Sequence, residues 1–200
     1  NTILFSFAIC SIAVRMALAT DRIIKLKSSA SYGTIFVMKN YIKSYDEATQ
    51  KVLELAGRID RTALNKFDAQ YTLYDITYVL RNKYKDHLFR DRYVGDMQFN
   101  GFTPFPKGFC ALSAICTYEL YGGESIWQPS AIHLGAWEHA PVVFLREIET
   151  GTAFDPTGDQ FAPLRVPYEL GTPIIKGIRN MRTPNKNAFI QEIKRELDRR

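Results

Sequence analysis

Apolar residues recur at helical spacing between Tyr41 and about Asp86, first as Val52, Leu53, Ala56 and Ile59, then as Leu73, Ile76, Val79 and Leu80. Steps of three and four residues place such side chains on one stripe, so two amphipathic helices are predicted. Asp46, standing before Glu47-Ala48-Thr49, reads as the cap of the first, and Lys51, Arg58 and Asp60 read as its solvated face. From His87 to Gly108 the periodicity breaks into Asp91-Arg92, Gly95-Asp96, Asn100-Gly101, Pro104 and Pro106. That pattern predicts a long loop, of a length that is often functional. The apolar run from Cys110 to Tyr121 predicts one helix, stopped by Gly122-Gly123. Beyond it the spacing becomes extended, with short strands at 124–128 and 131–133 and a longer one from His139 to Ile148. Glu149-Thr150-Gly151 supplies a hairpin turn, Thr152 to Asp155 returns as the partner strand, and Pro156-Thr157-Gly158 ends it. Phe189, Ile190, Ile193 and Leu197 mark a closing helix within 186–200. Helices, a loop, a central helix and then an antiparallel sheet make an α+β fold. One domain over 1–200 is expected, with a helical part at 1–87, a core at 88–165 and a tail with a helix at 166–200.

Composition narrows the class. A chain with 46% hydrophobic and 24% charged residues fits an ordinary soluble protein and excludes wholesale disorder or many membrane spans. Ile3 to Ala19 is almost wholly apolar, and Met16-Ala17-Leu18-Ala19 has the small residues of a cleavage site. Arg15 interrupts that run, no basic stretch precedes it, and it is shorter than the roughly 20 residues of a membrane span. It therefore reads as a helix packed into the core or docked on a protein partner, in a cytoplasmic protein. If residues 1–20 are a signal segment, the protein is secreted. The net charge of +5 comes from interleaved acids and bases, which argues against a nucleic-acid partner, and Lys194-Arg195 with Arg199-Arg200 suits a helix C-terminus. Three cysteines at uneven spacing form neither a disulfide framework nor a zinc pattern, so no metal and no cofactor is expected.

Cys110 carries the candidate chemistry. A cysteine in the first turn of a helix faces unpaired backbone N–H groups, which favour thiolate, and its own N–H can point at a developing oxyanion. A thiol nucleophile needs a base and the base needs an orienting acceptor. His139, opening the long strand, and Asp155, ending its hairpin partner, are those two candidates. His133 ranks second as base, and Cys116 reads as a small buried hydrophobe. Trp137 reads as a groove wall and Trp127 as core. Gln160 is a candidate substrate contact, with bracing of the turn after Asp155 as its equal alternative, as for Asp159.

Gly108-Phe109-Cys110-Ala111, a helix to Gly122-Gly123-Glu124, a histidine entering a strand, and Phe154-Asp155-Pro156-Thr157-Gly158-Asp159-Gln160-Phe161 together resemble the bacterial YunG-like proteins. More widely the run is similar to the transglutaminase-like core of the papain-like thiol superfamily. The resemblance covers about 105–165. It implies a Cys110–His139–Asp155 triad and acyl transfer on a protein or peptide substrate, as a peptidase, amide hydrolase, glutamine deamidase or transglutaminase. Papain-type peptidases place an oxyanion glutamine shortly before the cysteine, where this chain has Pro104; Gln98 and Asn100 lie farther upstream, and Gln98 is named as the candidate, with the Cys110 backbone N–H expected to contribute more. A non-catalytic binding or structural protein on the same scaffold is the alternative.

Overall fold

The computed structural model describes residues 43–63, 66–94, 105–135, 141–162 and 165–200. Internal contacts divide the chain into Asn1–Ser44 and Tyr45–Arg200, and the second unit carries the sheet. The apolar run Ile3–Ala19 lies outside the described residues. No described helix is long and apolar enough to cross a membrane.

The two amphipathic helices are α1 (43–63) and α2 (Leu73–Lys83), with Leu53, Ala56 and Ile59 buried on one and Leu73, Ile76 and Leu80 on the other. Two expectations for α1 fail. Asp46 lies inside the helix and pairs with Lys85 at 2.7 Å. Asp60 is buried, accepting the N–H of Leu73 at 2.8 Å and of Tyr74 at 3.0 Å. The first turn of α2 leaves those donors unpaired, and an anion from the neighbouring helix satisfies them. Thr72 caps the same end, its hydroxyl accepting from the Asp75 N–H.

The expected loop from His87 to Gly108 begins instead as a helix, α3 (His87–Val94). Asp86 caps it, its Oδ1 accepting from Leu88 N–H at 3.0 Å and Phe89 N–H at 3.4 Å. Phe89 and Tyr93, one turn apart, both pack on Phe189 of α5 (Lys186–Leu197). That tertiary burial outweighs the polar Asp91-Arg92 between them. Residues 95–104 lie outside the described set.

α4 (Cys110–Leu120) is buried continuously from Leu112 to Tyr118, as a helix surrounded by other elements must be, and packs on β2, α2 and α5. Gly122 follows it at φ 72, the left-handed conformation that closes many helices. The sheet comprises β1 (Trp127–Ile132), β2 (Val142–Glu147), β3 (Ala153–Phe154) and β4 (Thr172–Pro173), in the order β3-β2-β1-β4 with antiparallel neighbours. The two short strands expected at 124–133 are one strand preceded by a 3-10 turn at Gly123–Ser125. The fold is α+β, as expected. Alternation along β2 sends Val143 and Leu145 into the main core and Val142 and Phe144 into a second cluster with Ile132 and Val166. The chain after β3 supplies that second layer, bringing Phe161 and Tyr168 against it before returning as β4.

Candidate active site

Cys110 begins α4, and the aromatic core fixes where. Phe109 before it is fully buried, its ring 4.7 Å from Tyr84 and 5.7 Å from Phe89, centroid to centroid. Phe109 offers no side-chain cap to the helix. The half-buried thiol of Cys110 stands at the positive end of α4, a position that favours thiolate. Cys116, in mid-helix, is the contrast: burial pushes its thiol far above the ordinary range, so it stays protonated and inert.

Asp155 follows β3 and is held by its own turn. Its Oδ1 accepts the Thr157 N–H at 2.8 Å and the Thr157 hydroxyl at 2.6 Å, and its Oδ2 accepts the Tyr168 hydroxyl at 2.9 Å. Gln160 ties this turn to the nucleophile. Its Nε2 donates to Thr157 Oγ1 at 3.0 Å, and its Oε1 accepts the N–H of Gly108, two residues before Cys110, at 3.2 Å. Both ends of the Gln160 amide are thus engaged in bracing. Asp159 braces too. Its carboxylate meets Arg81 of α2 through Nη1 at 2.6 Å and Nη2 at 2.9 Å, a two-pronged pair of the strong kind. Arg81 also donates to the carbonyls of Pro156 and Tyr45 and to Thr49, so α1, α2 and the turn are locked through one buried guanidinium.

Electrostatics link these groups. Burial pushes the Asp155 carboxyl above the usual carboxylate range; the bonds from Thr157 and Tyr168 oppose the shift and nearby Asp159 adds to it. Tyr168 is held firmly protonated by burial and by the neighbouring carboxyls of Asp155 and Asp159. The Tyr168 hydroxyl donates to Asp155, which keeps the acid and the phenol in one bonded unit. Burial would drag the Arg81 guanidinium down, but Asp159, Tyr45 and Tyr84 together more than offset it, so the charge is secure.

The described ladder between β2 and β3 does not include Asp155. Its register pairs Leu145 with Phe154 and Arg146 with Ala153. β2 starts only at Val142, after Pro141, which has no N–H to give a ladder, and β3 stops at Phe154 before Pro156. His139, Trp137 and Gln98 themselves lie outside the described residues. His133 is exposed just past β1, beside a depression of about 450 Å³ shared with Ile132, Leu134, Pro167 and Leu170. Among the described residues the donors to Asp155 are Thr157 and Tyr168, not His133. Trp127 is core, its Nε1 donating to the Tyr121 carbonyl at 2.8 Å. Among the described residues no group of three or more His, Cys, Asp or Glu gathers as a metal site.

Sequence reasoning missed Arg81, Thr157 and Tyr168. Arg81 was findable, because it lies four and eight residues after Thr77 and Leu73 on the buried row of α2. Tyr168 left no local signal, since only the fold of 155–171 brings it to Asp155. No family model matches the chain, and no curated protein and no solved structure matches it either.

Proposed function

We propose that the protein is a cysteine-dependent acyl-transfer enzyme of the YunG-like or transglutaminase-like kind, acting on an amide of a protein or peptide. The observation that carries this reading is that Cys110, at the start of α4, and the half-buried Asp155 are joined through the Gly108–Gln160–Thr157 hydrogen bonds. In the proposed reaction Cys110 Sγ attacks the carbonyl carbon as its proton passes to His139. The amide nitrogen leaves with that proton, and water or an amine then opens the thioester. Asp155 orients the imidazole and supports its charge. The Cys110 main-chain N–H, with Gln98 as second donor, is assigned to the oxyanion.

The test is the pH dependence of iodoacetamide labelling at Cys110, read by peptide mapping. A thiolate reactive near pH 6, abolished by H139A, is expected; a profile with the ordinary thiol pKa of about 8.5 overturns the reading. A second reading, a non-catalytic scaffold, is favoured by one observation: both Asp155 oxygens are already engaged in bracing their own loop. The ordinary thiol profile is its signature.

A further inference from the structure

We propose that Tyr168 is the positioning residue of the acid, its hydroxyl fixing the rotation of the Asp155 carboxyl; this rests on the thiol-triad reading. Among the described residues, Asp155 Oδ1 receives two donors, both from Thr157, and Oδ2 receives one, from Tyr168. Each carboxylate oxygen has two acceptor directions. The remaining direction therefore lies on Oδ2, the oxygen that Tyr168 holds. A phenol has one proton, and Tyr168 gives it to Asp155. It is then neither a base nor an oxyanion donor, and positioning is the role its chemistry leaves.

The surroundings of Tyr168 look built for that bond. Arg146 Nη2 donates to the Tyr168 carbonyl at 2.7 Å, and the Phe144 ring packs on the Tyr168 ring at 4.9 Å. Gly158 leaves the space the hydroxyl occupies: a Cβ there would stand 2.4 Å from the Tyr168 oxygen. Gly171 does the same for Phe144, where a Cβ would stand 2.4 Å from the ring. Two glycines on different turns thus make room for one hydroxyl and for the ring that seats it. The groups facing Asp155 are Thr157, Tyr168 and Asp159, with Arg81 neutralising Asp159 from α2. Of these, Thr157 and Tyr168 favour the ionised carboxyl and Asp159 disfavours it.

The experiment compares wild type, Y168F, G158A and the double variant in the full chain, reading the rate of Cys110 alkylation against pH beside thermal unfolding. Y168F keeps the ring and removes only the donor. A donor lost from a carboxylate raises its pKa, so the acid limb of the profile moves to higher pH, with a fall of about tenfold in rate on that limb. G158A should reproduce this shift by pushing the hydroxyl off Oδ2. In the double variant the methyl meets no hydroxyl, so its profile should match Y168F alone rather than add to it. If Y168F fails to fold, G158A carries the test by itself. A reactive wild-type thiol whose profile is unmoved in the folded variants, even with a lowered melting temperature, overturns the proposal and leaves the triad standing. An ordinary thiol profile in wild type overturns the triad reading, and the role of Tyr168 within it.

Discussion

Replacing Arg81 with methionine removes the guanidinium while keeping most of the stem that packs between α1 and α2. The side chain is 1% exposed and all five of its N–H groups are used: one on Thr49, one on each of the Tyr45 and Pro156 carbonyls, and two on Asp159. Its guanidinium carbon also lies 3.8 Å from the centre of the Tyr45 ring. Losing the partner of a buried charge costs about 3–5 kcal/mol. Two considerations pull the value to the lower half of that range. Asp159 is 20% exposed and can turn to water, and the Tyr45 carbonyl keeps the Thr49 hydroxyl at 2.8 Å. R81M should therefore lose about 3–4 kcal/mol, a large share of the roughly 5–15 kcal/mol of a typical domain. D159N, which leaves the other three bonds of Arg81 in place, should lose only about 1–2 kcal/mol. Urea unfolding followed by far-UV circular dichroism measures both, the midpoint moving while the slope stays constant. A loss below about 1 kcal/mol for R81M, or a larger loss for D159N than for R81M, would refute the view that this guanidinium locks the acid-bearing turn to the helices.

Two other substitutions test the frame around the site. D60A removes the carboxylate that receives the N–H groups of Leu73 and Tyr74; a loss of about 2 kcal/mol in urea unfolding is expected, and a loss under about 0.5 kcal/mol contradicts the capping role. Glu147 is buried at the end of β2. Its burial would raise its pKa, but the hydroxyl and N–H of Thr150, both at 2.6 Å, outweigh that and hold it below the ordinary 4.5. Because the folded state depresses this pKa, its contribution is complete above 4.5 and fades as pH falls through the folded value. E147Q should therefore be less stable than wild type at neutral pH and converge with it in acid, read by thermal unfolding across pH. A gap that does not narrow on acidification contradicts this.

The helical stripe of α1 and α2, the apolar run of α4 with its glycine stop, the turn at 149–151 and the closing helix were all legible in the sequence. Each is set by spacing, capping and turn chemistry within a few residues. Cys110 at the head of α4 was legible for the same reason, as was the bracing role open to Asp159. What failed depended on distant partners. α3 forms because Phe89 and Tyr93 find Phe189, and Asp60 is buried because the start of α2 comes to it. The described strands are shorter than expected, with Pro141 before β2 and Pro156 after β3 withholding ladder hydrogen bonds. Only the tertiary structure could seat the acid, since the donors and braces around Asp155 come from Thr157, Tyr168, Asp159 and Arg81, the last 74 positions earlier in the chain. A carboxyl taken out of water is defined by whatever replaces that water, and the replacements are assembled by the fold.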